Sequence, residues 1–141
     1  MIGLKRVLLI SFLTLFSIFN LHAEEVHKVV IQVSTDDTRT QKIALNNAVN
    51  LQKYYGIDNV EIEIVAYGPG LTMLTTGYKD SNRVKSLVLQ DIKFSACGNT
   101  IEMFTKKFGK KPVLTEGVEI VTAGAARIME LQEQNYSYLR P

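Results

Sequence analysis

Cys97 is the only cysteine in the 141-residue chain. It stands in Phe94-Ser95-Ala96-Cys97-Gly98-Asn99-Thr100, between an apolar run and a segment with the marks of a helix start. A thiol placed there meets backbone N–H groups that no helical carbonyl satisfies, together with the positive end of the helix dipole. Both favour a thiolate over a thiol, lower the pKa, and make the sulfur a nucleophile near neutral pH. The opposing reading is a buried cysteine acting as a small apolar residue, a common state of free thiols. A reactive Cys97 would do sulfur chemistry. It would act as a nucleophile, or as a redox sensor through a sulfenic acid or mixed disulfide.

Other residues that could share such a site are few. Gly98, Asn99 and Thr100 supply the amides of the helix start, and the Asn99 side chain could orient a bound sulfur species or merely cap the backbone. Gly68-Pro69-Gly70 could wall a pocket beside Cys97 and let a ligand approach the backbone, although such a tripeptide also makes an ordinary sharp turn. Arg127, near the start of the last helix, is either a surface arginine or an attractor for an anionic donor such as thiosulfate. Asp36 and Asp37 read as a helix cap with a solvated neighbour rather than an acid–base pair. His22 and His27 are the two histidines, both near the N-terminus, so no metal-ligand spacing, Ser/His/Asp arrangement or glycine-rich phosphate loop is present, and no cofactor is expected.

The N-terminus sets the expected compartment. Lys5 and Arg6 precede an apolar run from Val7 to Phe19, and Leu21-His22-Ala23 ends in the small residue a signal peptidase requires. The 13-residue run is short for a membrane span, which needs about 20. Residues 1–23 therefore read as a cleavable signal peptide, residues 24–141 as one domain, and the mature protein as periplasmic with no stable membrane anchor. Loss of Lys5 and Arg6 leaves 14 basic residues against 14 acidic ones, and such a balance gives no electrostatic basis for nucleic-acid binding. A lone thiol cannot form an internal disulfide, so in an oxidising compartment its presence calls for an explanation.

The elements that must position Cys97 alternate along the chain. Strands are predicted over residues 28–33, 60–67, 92–96 and 118–121, from β-branched runs and from the alternation Val60, Ile62, Ile64 against Glu61, Glu63. That alternation implies a wetter face at the second strand. Helices are predicted from about Thr40 to Tyr55, over a short piece from Leu71 and another from Ser81 to Leu89, through Ile101, Phe104 and Phe108, and from Ala123 to about Asn135. Tyr136 to Pro141 form a tail whose Tyr136, Tyr138 and Leu139 are too apolar for a free end and are expected to dock on the domain or on another protomer. Alternation of this kind predicts an α/β three-layer sandwich of Rossmann or flavodoxin type, with a mostly parallel sheet of four to five strands. Ligands in such folds sit beyond the carboxyl ends of the strands, where Ser34 to Asp37, Gly68 to Gly70, Cys97 to Asn99 and Thr122 to Gly124 collect.

Four segments in order, Ala44-Leu45-Asn46-Asn47-Ala48, Val60 to Gly70, Phe94 to Thr100 and Gly117 to Val121, resemble the DsrE/DsrF-like proteins, in their exported branch of mostly unknown function. The resemblance covers essentially the whole domain. It implies a small α/β sandwich that forms homo-oligomers, often trimers or hexamers. It also implies a sulfur carrier or sulfurtransferase component in which Cys97 takes the place of the persulfide-bearing cysteine, with a periplasmic thiol or sulfane-sulfur partner. Beside this stand a non-catalytic, oligomeric small-ligand-binding module with a structural cysteine, and a thiol redox sensor.

Overall fold

The computed structural model describes residues 26–141; the segment expected to be a signal peptide lies outside the described residues. In chain order the elements are β1 (His27–Val33), α1 (Thr38–Tyr55), a 3-10 turn (Ile57–Asn59), β2 (Val60–Ala66), a longer 3-10 segment (Gly68–Leu74), α2 (Ser81–Val88), β3 (Ile92–Cys97), α3 (Gly98–Phe108), β4 (Glu119–Val121), α4 (Gly124–Glu133) and β5 (Ser137–Leu139). Asp37 caps α1, accepting from the Thr40 amide at 2.8 Å and the Thr40 hydroxyl at 2.6 Å. The apolar piece after Tyr67 is thus 3-10 from its first residue, because Pro69 stands at its start and its amides bond three residues back.

The sheet has five strands in the order β4-β3-β2-β1-β5, and every pairing is parallel. The chain steps from β1 to β4 in one direction with its crossovers on one face. It then returns through α4 on the other face to place β5 beside β1. Parallel crossovers are right-handed, so a reversal of direction along the sheet requires a change of face. The tail is therefore part of the fold: Ser137, Tyr138 and Leu139 pair with Val29, Val30 and Ile31. Three residues are a weak strand by sequence pattern, and only the edge of β1 gives them partners.

The two faces have different interiors. Ile31, Ile64 and Phe94 from the strands, Leu45 and Ala48 from α1, Leu71 and Leu74 from the 3-10 segment, and Ile101 from α3 form the larger core. On the other face Val30 and Val65 meet Ile128 and Leu131 of α4 and Tyr136. The wetter face expected at β2 is this second one, yet Glu63 within it is only 1 % exposed. Its burial follows from a partner on α4, described below.

The 3-10 segment is seated hard on the end of β1. A Cβ at Gly70 would lie 2.2 Å from the carbonyl oxygen of Val33, a distance no side chain tolerates. Gly70→Ala is accordingly expected to destabilise the protein by about 1–3 kcal/mol through overpacking against backbone, read as a lower midpoint in urea unfolding. An unchanged midpoint would contradict the close seating.

Candidate functional site

Cys97 is the last residue of β3 and the N-cap of α3, with extended backbone (φ −70°, ψ 118°). The register pairs it with Val121 of β4, and the side chains of Ser95 and Cys97 point to the α4 face. The residue is 5 % exposed. At the same strand-end edge Pro69, Asn99 and Thr122 are exposed.

The neutral thiol makes no capping hydrogen bond to its helix. The ionised sulfur has more to gain. Burial pushes the Cys97 pKa up, but the Thr100 hydroxyl and the N–H groups of Gly124, Thr100 and Asn99 face the sulfur, and together they hold the thiol below its ordinary value. The first turns of α3 and α4 thus both lie beside the Cys97 side chain. The hydroxyl of Thr100 is itself oriented: its Oγ1 accepts from the Gly68 N–H at 2.9 Å, which leaves its own proton free for the sulfur.

The residues singled out from sequence separate here into two groups. Gly98, Asn99, Thr100 and Gly68 gather at Cys97, Gly68 through Thr100. A Cβ at Gly98 would lie 3.1 Å from the Val121 carbonyl oxygen and 3.2 Å from that of Thr122, so β4 closes tightly over the helix start. Asn99 also donates its backbone N–H to the Thr122 carbonyl at 3.2 Å. Pro69 and Gly70 instead serve the turn: the Pro69 carbonyl accepts from the Thr72 hydroxyl at 2.9 Å, and Gly70 packs on β1. The strand pattern places Thr122 to Gly124 on the same edge but marks no role for Gly124. Its signal was the run Gly-Ala-Ala opening a helix, small residues where two backbones approach.

Arg127 is neither a plain surface arginine nor a free anion site. Its Nε and Nη2 donate to Glu63 Oε1 at 2.8 Å and Oε2 at 2.7 Å, and Nη1 lies 3.6 Å from Glu130. Ser95 Oγ adds a 2.6 Å bond to Glu63 Oε1. Burial pushes the Glu63 carboxyl up, yet the Arg127 and Ser95 bonds outweigh it and leave the group below the ordinary carboxylate range. Arg127 is correspondingly held protonated.

An open groove of about 410 Å³ runs between α3 and β4, with Gly98, Ile101 and Ile120 on its floor and Lys106 and Lys111 among its walls. Cys97 is not among its lining residues. A second groove, of about 490 Å³, lies on the α4 side and is lined by Val121, Thr122, Ala123 and Arg127 among others. His27 opens β1 and stacks on Tyr55 at the far end of the parallel sheet, too distant to act as a base for Cys97. Among the described residues no three His, Cys, Asp or Glu side chains gather to hold a metal ion. No helix of the described residues is long and apolar enough to cross a membrane.

The fold and site define a parallel three-layer α/β domain with a buried free thiol at its strand-end edge. No protein-family model matches the chain, and no curated protein matches it. Solved structures do. MTH1491 from Methanobacterium thermoautotrophicum, a protein of unknown function, is 31 % identical, with a TM-score of 0.73 over 82 % of this chain and 99 % of its own. The chain belongs to the family of MTH1491. The ychN protein from E. coli is 18 % identical, with a TM-score of 0.63 over 82 % of this chain and 99 % of its own. BT1422 from Bacteroides thetaiotaomicron, also of unknown function, is 15 % identical, with a TM-score of 0.60 over 81 % of this chain and 94 % of its own. These last two share the fold.

The convergence on Cys97 predicts that Thr100→Val, which removes the hydroxyl and keeps the shape, slows alkylation of Cys97 at pH 7 by about three- to tenfold. The midpoint of the pH–rate profile moves upward. The folded-state pKa lies below that of the unfolded thiol, so between the two the unfolded chain binds the extra proton. Ionisation then adds stability that is complete above the unfolded value and is lost as pH falls through the folded one. Thermal melts across that range should show this rise in the native protein and not in Cys97→Ser.

Proposed function

We propose that this protein is an exported, homo-oligomeric member of the DsrE/DsrF-like group, a trimer or hexamer in the periplasm, that carries sulfane sulfur on Cys97. The observation that carries the reading is the sulfur itself, at the end of β3, faced by the Thr100 hydroxyl and by the amides of Asn99, Thr100 and Gly124. The reaction needs a thiolate and no metal. Cys97–S⁻ attacks the outer sulfur of a persulfide R–S–SH; the new S–S bond forms as the donor bond breaks, and R–S⁻ leaves. The product Cys97–S–SH gives its outer sulfur to an acceptor thiolate by the same step, which restores Cys97–S⁻ with no net oxidation.

Site geometry suits a carrier better than a self-contained enzyme. With Cys97 the only cysteine, any resolving thiol must come from outside the chain.

The burial of Cys97 favours a second reading, a ligand-binding module in which the cysteine is structural. Intact-mass measurement after incubation with polysulfide separates the two. The carrier reading expects one added sulfur atom on the native protein, removable by a small thiol and absent from Cys97→Ser. No adduct, together with slow alkylation of the native thiol, leaves the structural cysteine.

A further inference from the structure

Arg127 lies on the first turn of α4, three residues after Gly124, whose N–H faces the Cys97 sulfur. Its guanidinium forks onto both oxygens of Glu63, and Glu63 Oε1 also accepts from Ser95, two residues before Cys97 on the same face of β3. One buried carboxylate is therefore bonded to the strand that carries the thiol and to the helix that delivers an amide to it. A bidentate, planar pair fixes helix rotation and height in a way that apolar contact alone does not. The seat leaves little slack, since a Cβ at Gly124 would stand 3.2 Å from Cβ of Cys97. The other charged or titratable groups facing the pair are Lys93 of β3, Glu130 of α4 and Tyr136, which donates to Glu61 at 2.7 Å. None of these is among the groups that act on the thiol.

We propose that the Glu63–Arg127–Ser95 bonds are a positioning device for the thiol site, holding the first turn of α4 against β3 so that the Gly124 amide stays on the Cys97 sulfur. Glu63 and Arg127 are positioning residues that act through Gly124. The inference deepens the sulfur-carrier reading and rests on it for the task it gives the thiolate.

Two variants test it. Glu63→Met/Arg127→Met removes both charges together, an exchange that buried ion pairs usually tolerate without unfolding. Arg127→Lys keeps the charge and loses the fork. In each, folding is checked by circular dichroism, and the pH–rate profile of Cys97 alkylation is compared with that of the native protein. The expected result is an upward shift of the midpoint, with the rate at pH 7 lowered by roughly threefold or more and the limiting rate at high pH retained. A folded variant with the native midpoint overturns the proposal, and if the double variant does not fold, Arg127→Lys decides. Sulfur loading by polysulfide is followed by mass in parallel. A native protein that takes no sulfur while the variants shift the midpoint sinks the carrier reading and leaves the positioning role standing. A native protein that loads sulfur beside variants with unmoved midpoints sinks the positioning role alone.

Discussion

At Gly124 the start of α4 comes close to β3: a Cβ there would lie 3.1 Å from the Tyr67 side chain and 3.2 Å from Cβ of Cys97, tighter than ordinary contact. This close approach is what brings the start of α4 to the end of β3. The topology makes it possible. β4 pairs with β3, so the turn from β4 into α4 must begin beside the carboxyl end of β3, and α4 must then cross the sheet to reach β5 at the far edge. A helix that starts there points its unsatisfied amides at whatever ends β3, and what ends β3 is Cys97.

The polar interior of the α4 face follows from the same constraint. A helix crossing from one sheet edge to the other has few apolar partners, here Ile128 and Leu131 against Val30, Val65 and Tyr136. The buried Glu63 carboxylate would be costly without a partner, and Arg127 and Ser95 together satisfy it. Such a pair contributes modestly to net stability but strongly to geometry, because a fork has one good arrangement and a greasy contact has many. Tyr136 gives a second polar tie on this face; burial and its bond to Glu61 push its hydroxyl up to about 12, so it remains a donor across the ordinary pH range.

Much of the architecture was legible as pattern. The strands at 28–33, 60–67, 92–96 and 118–121 and the long first helix stand within a residue or two of β1, β2, β3, β4 and α1, because β-branched runs and helical periodicity report local burial directly. The fifth strand was not legible as a strand, since three residues carry no period; only its apolar character marked it for docking. Within the site, the helix start after Cys97 was readable from the apolar run and the Gly-Asn-Thr that follows it. Gly124 and the Glu63–Arg127 pair were not, because each depends on residues brought together across the sheet from distant parts of the chain. Glu63 read as one polar position in an alternating strand, and nothing local distinguishes a solvated glutamate from one that waits for an arginine 64 positions on.

The central claim is that the Cys97 thiol ionises below its ordinary value, because the nearby amides and the Thr100 hydroxyl outweigh the effect of burial. The most direct measurement is an ultraviolet pH titration of thiolate absorption in the native protein, with Cys97→Ser subtracted. The account predicts a single thiolate transition with its midpoint below that of an ordinary cysteine. A midpoint at or above the ordinary value would contradict it, and would mean that burial rather than the surrounding donors governs this thiol.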